Sequence, residues 1–129
     1  MPRFGKGSLF QLQSVHPDLQ ELFKEVVKHF DCSIIEGFRG KEKQDRAYNE
    51  GKSKVKFPKG KHNQIPSEAV DIAPYPIDWD DKERFYYFAG FVMGVASQMD
   101  YKIRWGGDWN NDTEVQDTRF KDLVHFEIY

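Results

Sequence analysis

The stretch KHNQIPSEAVDIAPYPIDW, from Lys61 to Trp79, sets a histidine in a polar loop, then an aspartate inside a short apolar run, then two prolines that stop the run. Ala69 to Ala73 reads as a β-strand, because Val70 and Ile72 recur at period two and Pro74 and Pro76 cannot donate to a ladder. Alternation then puts Asp71 on the face opposite Val70 and Ile72, between two alanines small enough to let another group approach. An aspartate at the centre of a strand needs a partner, and His62 lies in the loop that enters the same strand.

Outward from this strand the chain reads as a string of short elements. Downstream, Asp78 or Asp80 is placed to cap a long helix through Phe85, Phe88, Phe91, Val92, Val95 and Met99, the densest apolar face in the sequence. Tyr101 to Trp105 reads as a strand, Gly106 to about Lys121 as a Gly/Asn/Asp-rich loop, and Leu123 to Tyr129 as an alternating terminal strand. Upstream, Leu19, Leu22, Phe23, Val26, Val27 and Phe30 keep helical spacing after Pro17, which suits a first helical position. Cys32 to Gly37 reads as a strand, Lys41 to Glu50 as a polar helix closed by Gly51, and Gly51 to Pro66 as a loop. The order α, β, α, β, α, β, β predicts an α+β domain with a small, mainly antiparallel sheet packed with helices.

At 129 residues the chain is expected to form one domain, 1–129. Lys and Arg number 19 against 21 Asp and Glu, a formal charge of -2, so the excess of cations that nucleic-acid binding requires is missing. Cys32 is the single cysteine, which rules out an internal disulfide and a thiolate zinc knuckle and marks it as a core residue. The N-terminal MPRFGKGSLFQLQSV has no apolar signal-peptide core, and no apolar run is long enough to span a bilayer. A cytoplasmic chain with no membrane insertion is the expectation.

In the last strand Val124, Phe126 and Ile128 share one face, so His125 and Glu127 share the other, turned away from the core. Asp71 and His125 are thus both expected on open strand faces, with His62 in a neighbouring loop. Two imidazoles and one carboxylate form a three-ligand set for Zn2+ with a fourth position left to water, the pattern of a catalytic site. Solvated polar positions on exposed strands account for the same spacing, and the pattern leaves both readings open. His16 and His29, which flank the first helix, read as a capping-region residue and an exposed last-turn residue.

The segments KHN…PSEAVDIAPYP and DLVHFEI resemble the His-loop-Asp and Asp-x-x-His signatures of the zinc D-alanyl-D-alanine carboxypeptidase and L-alanyl-D-glutamate peptidase family, which includes many phage endolysins. IIEGFRGKEKQDRAYNEGKSK is similar to that family's Gly-x-Arg segment and following helix, and YKIRWGGDW to its strand and Trp-Gly-Gly-Asp-Trp loop, so the likeness covers nearly the whole chain. It implies the Hedgehog/D,D-peptidase fold, a Zn2+ cofactor held by His62, Asp71 and His125, Asp122 as catalytic acid/base, and Arg39 as the residue that binds substrate and steadies the oxyanion. This sequence departs from the commoner spacing by a longer loop between His62 and Asp71, with Pro66-Ser67 where a glycine is frequent and Gly60 where many members have serine.

The resemblance implies a peptidoglycan peptidase that cuts the stem peptide between L-Ala and D-Glu as a phage-type endolysin, a monomer that reaches the cell wall after release from the cytoplasm. The alternatives are a D,D-carboxypeptidase on the same scaffold and a non-catalytic zinc- or wall-binding module. The second has no use for Asp122 and Arg39 together. Strict alternation puts Glu127, not Asp122, beside His125, so Glu127 is the secondary candidate for the base, or else a hydrogen-bonding partner of a ligand. Trp105 and Trp109 are candidate substrate-binding walls, with a core role as the alternative for a tryptophan in a strand. The lysines from Lys52 to Lys61 form a solvated loop that could aid encounter with an acidic stem peptide.

Overall fold

A computed structural model describes residues 2–129. Helices α1 (Lys6–Leu12) and α2 (Pro17–His29) precede strand β1 (Cys32–Glu36) and helix α3 (Lys41–Asn49). A 3-10 turn (Lys61–Asn63) leads into β2 (Ala69–Pro74), and helix α4 (Lys82–Gln98) and strands β3 (Ile103–Trp105) and β4 (His125–Ile128) complete the chain. The four strands form one antiparallel sheet in the order β1-β2-β4-β3. The α+β expectation holds, with one more helix than the sequence suggested.

That extra helix, α1, is short and has no buried face beyond Leu12, which is why periodicity gives no signal for it. Its side chains cap the edge of the sheet. Ser8 Oγ accepts from Ile34 N at 3.0 Å, Gln11 Oε1 from Gly37 N at 3.1 Å, and Ser14 Oγ, just beyond the helix, from Phe38 N at 2.8 Å. These donors would otherwise present an open edge for another strand.

The core lies between the sheet and α2 and α4. Leu19, Leu22, Phe23, Val26 and Val27 of α2 are buried, as the spacing predicts, and so are Phe85, Phe88, Ala89, Val92 and Ala96 of α4. Phe126 of β4 is fully buried, with ring centroids 5.5 Å from Phe23 and 6.3 Å from Phe88 in edge-on arrangements. Cys32 joins this core, and burial, with the charge of Asp31, pushes its thiol up to about 12, so it is an inert packing residue. The cap of α4 is Asp81, whose Oδ1 accepts from Arg84 N at 3.2 Å; neither Asp78 nor Asp80 takes that place.

Strands β3 and β4 are shorter than expected, since Tyr101 and Lys102 precede the first and Leu123 and Val124 lie in a turn before the second. α3 ends as predicted: Gly51, at φ 76°, donates to Tyr48 O at 3.1 Å while Lys52 N reaches Ala47 O at 2.8 Å. This paired closure needs a left-handed residue at the first position past the cap.

Candidate active site

β2 is central in the sheet and buried on both faces, so Asp71 lies at the floor of a pocket and not on an open strand face. Antiparallel pairing sets Asp71 directly opposite His125. On the other side the β1–β2 register slips between Ile34 and Glu36, so Glu36 in place of Ile35 pairs with Asp71. A bulge of this kind re-aims the side chains that follow it. Here it leaves Ile35 partly exposed and brings Glu36 alongside Asp71.

His62, Asp71 and His125 are all buried, and one donor atom from each lies within 4.8 Å of the others. His62 Nε2 is 3.1 Å and His125 Nδ1 3.4 Å from the same oxygen, Asp71 Oδ1. The remaining ring nitrogens are both occupied. His62 Nδ1 sits 2.8 Å from Gly37 O, and His125 Nε2 sits 2.8 Å from Glu127 Oε1. A carbonyl and a carboxylate accept hydrogen bonds, so a neutral ring keeps its proton on those outer nitrogens and has a lone pair free at His62 Nε2 and His125 Nδ1 for a metal ion, whereas a protonated ring donates from the same atoms to Asp71. Two imidazole nitrogens and a carboxylate oxygen converging at one point, each with its outer side tied, suit a zinc ion.

The electrostatics agree with the geometry. Burial alone would raise the Asp71 carboxyl, but the charge of His62 and the hydrogen bonds from both histidines outweigh it and hold the carboxyl far below the usual range. Burial likewise works against a charged His125, yet its bonds to Asp71 and Glu127 raise it to about 9.

Arg39 reaches the same pocket from the segment after β1. Its guanidinium donates to Glu36 Oε1 at 2.7 Å, Gln44 Oε1 at 3.2 Å and Asp71 Oδ2 at 3.4 Å. The resemblance assigns Arg39 to substrate; the structure ties it to Asp71, a candidate metal ligand.

Gln44 is almost fully buried, a residue that nothing in the sequence singled out. Its Oε1 accepts from Arg39 and, at 3.2 Å, from Asn63 Nδ2, while its Nε2 donates to Ser53 Oγ and Val55 O. One amide thereby joins α3, the arginine and the turn that carries His62.

Asp122 is half-buried and lines the cleft just before β4, while the backbone there turns so that His125 N donates to Asp122 O at 3.1 Å. Burial, and then the charge of Asp71, raise its carboxyl above the ordinary value, against the lowering charges of His125, His62 and Arg39. Gly106 holds this segment by donating to His125 O and accepting from Asp122 N, both at 2.8 Å. A Cβ at Gly106 would stand 2.2 Å from Asp122 O, so no other residue fits. Glu127 is placed differently. Its Oε1 is taken by His125 and its Oε2 faces Arg104 at 3.7 Å, an arrangement set by the β3–β4 pairing of Arg104 with Glu127.

The two tryptophans separate. Trp109 lines the cleft with its ring 5.3 Å from that of His125. Trp105 is a core residue whose Nε1 donates to Leu123 O at 2.9 Å, so it is corrected from a substrate wall to a packing residue. Strand alternation turns it toward the side of Phe126, its cross-strand partner. His16 caps α2 by accepting from Asp18 N at 3.1 Å, and His29 is exposed in the last turn beside Glu25, as expected.

The whole arrangement opens into a cleft of about 1010 Å3 between α3 with the loop after it and the 106–122 loop. All of residues 1–129 match the phage L-alanyl-D-glutamate peptidase family. The L-alanyl-D-glutamate peptidase of Escherichia phage T5 is 33% identical over 121 residues, which cover 89% of this chain and 87% of that protein. The crystal structure of Serratia marcescens L-Ala D-Glu endopeptidase ChiX superposes with a TM-score of 0.77 at 23% identity, covering 99% of this chain and 91% of that one.

Proposed function

The chain belongs to the phage L-alanyl-D-glutamate peptidase family and is a peptidoglycan peptidase, and from that premise we propose that it cuts the L-Ala–D-Glu bond of the stem peptide as a zinc hydrolase. The observation that carries the metal is the convergence of His62 Nε2 and His125 Nδ1 on Asp71 Oδ1, with both outer nitrogens already bonded. His62, Asp71 and His125 would hold the zinc, which would supply Lewis-acid polarisation of the scissile carbonyl and lower the pKa of water toward neutrality.

The protein's own groups do the rest. Asp122, raised by burial and by the neighbouring Asp71, takes the proton of the attacking water and returns it to the leaving amine of D-Glu. Arg39 keeps Asp71 oriented through the contact to Oδ2 and presents a permanent cation to the negative charge that develops on the carbonyl oxygen. Glu127 fixes the His125 ring from behind, and Trp109 walls the cleft beside it. No nucleophilic side chain is needed.

Among the described residues no helix is long and apolar enough to cross a membrane. The family likeness supports action as an endolysin, and in this reading the protein reaches the cell wall after release from the host cytoplasm. Mass spectrometry of muropeptides after digestion tests this reading. Free L-Ala-linked glycan and a peptide beginning with D-Glu, lost on chelation and restored by Zn2+, are expected. Release of terminal D-Ala alone would identify a D,D-carboxypeptidase instead.

A further inference from the structure

The cleft is electrically polarised. Its floor, from β2 and β4 and the turn before β4, carries the carboxylates Asp71, Asp122 and Glu127, whereas the wall formed by α3 and the loop after it carries cations. Among the described residues three of those cations, Arg46, Lys54 and Lys59, line the cleft with no carboxylate partner, unlike Lys52 and Lys61, which pair with Glu50 and Glu68. Lys54 Nζ stands 5.0 Å from the centroid of Phe120, across the cleft on the 106–122 loop. Its charge is thereby held at the mouth and not left to swing in solvent. Gln44 anchors the same loop by donating to Ser53 Oγ and Val55 O on either side of Lys54. A charged wall on a pinned loop, opposite a metal-binding floor, is built to meet anions.

We propose that Arg46, Lys54 and Lys59 form a carboxylate-binding subsite for the part of the stem peptide C-terminal to the scissile bond. The inference rests on the L-Ala–D-Glu reading and adds a direction to it. On the N-terminal side of that bond the substrate offers one alanine joined through an amide to the glycan, and no carboxylate. On the C-terminal side the γ-linked D-Glu keeps its α-carboxylate, and the diamino acid and the chain end carry more. The orientation that lays these anions along the α3 wall turns the glycan away from that wall. Amidation of the D-Glu and diaminopimelate carboxylates removes what the subsite reads.

The test uses the zinc-loaded protein and the double variant Lys54→Gln/Lys59→Gln, which spares every residue at the metal and α3. The probe is the dipeptide γ-D-Glu-diaminopimelate, which cannot be cut further, and its diamide, with affinities from calorimetry at low and high salt. Exposed charge pairs contribute about two- to fivefold each, so the parent should bind the acidic dipeptide about tenfold tighter than the diamide. The double variant, which keeps Arg46, should lose most of that preference, bind the diamide as the parent does, and show a flatter salt dependence. In cleavage of the corresponding stem tripeptides the loss should fall in KM. Equal affinities of the parent for the two probes, or an equal loss on both in the variant, overturn the subsite. A preserved preference for the acidic dipeptide in a protein that leaves the L-Ala–D-Glu bond intact would keep the subsite and overturn the bond assignment.

Discussion

Replacing Glu127 separates the two carboxylates beside His125. In the structure Glu127 is buried, accepts from His125 Nε2 at 2.8 Å and faces Arg104 at 3.7 Å, so both of its oxygens are engaged behind His125. Glu127→Gln keeps an acceptor at that position and loses the charge. A charge-assisted hydrogen bond is about twice as strong as a neutral one, so the change weakens the support of His125 by roughly 1–1.5 kcal/mol. That corresponds to about a tenfold loss of zinc affinity. Glu127→Ala leaves a buried ring N–H without a partner and should cost up to about a hundredfold. Competition with a chromogenic chelator measures the affinity, and turnover at saturating zinc should stay within about threefold of the parent for Glu127→Gln. Unchanged zinc affinity with turnover down a hundredfold or more would refute the positioning role and make Glu127 the base.

The complementary substitution is Asp122→Asn, which should keep zinc and fold while lowering kcat by about 10²–10⁴-fold, as expected for loss of a general base, with KM little changed by comparison in steady-state assays. Arg39→Lys cannot span Glu36, Gln44 and Asp71 at once, so kcat should fall by about tenfold or more and zinc affinity should weaken with it; parent values for both would make Arg39 a bystander. Gly106→Ala drives a Cβ into Asp122 O, so it should lower kcat by displacing Asp122 and lower stability in urea titrations by about 1–3 kcal/mol; a fully active, fully stable variant would contradict the close approach.

Much of this was legible in the residues. Period-two alternation found β2 and β4 and put His125 and Glu127 on one side, and helical spacing found α2 and α4, because each of those elements gathers its apolar residues on one face. What alternation could not supply was the neighbour across the sheet. Pairing of Asp71 with His125 and the bulge that substitutes Glu36 for Ile35 are matters of register, which depends on the whole sheet. The exposure of the site was misjudged for the same reason: an aspartate on the non-core face of a strand looks solvated until another strand, a loop and an arginine close over it. Gln44 escaped notice because a glutamine in a polar helix carries no pattern, and its role exists only through the loop that folds back on it. Asp122 is singled out by family likeness alone, since it lies just before a turn where no periodicity applies.

The central claim is that His62, Asp71 and His125 hold the ion on which hydrolysis depends. Zinc content by elemental analysis, measured on purified parent and on His125→Ala, tests it most directly. The account predicts close to one zinc per chain in the parent and almost none in the variant, with stem-peptide cleavage lost in parallel and the fold retained by circular dichroism. A His125→Ala protein that keeps a full zinc equivalent would contradict it.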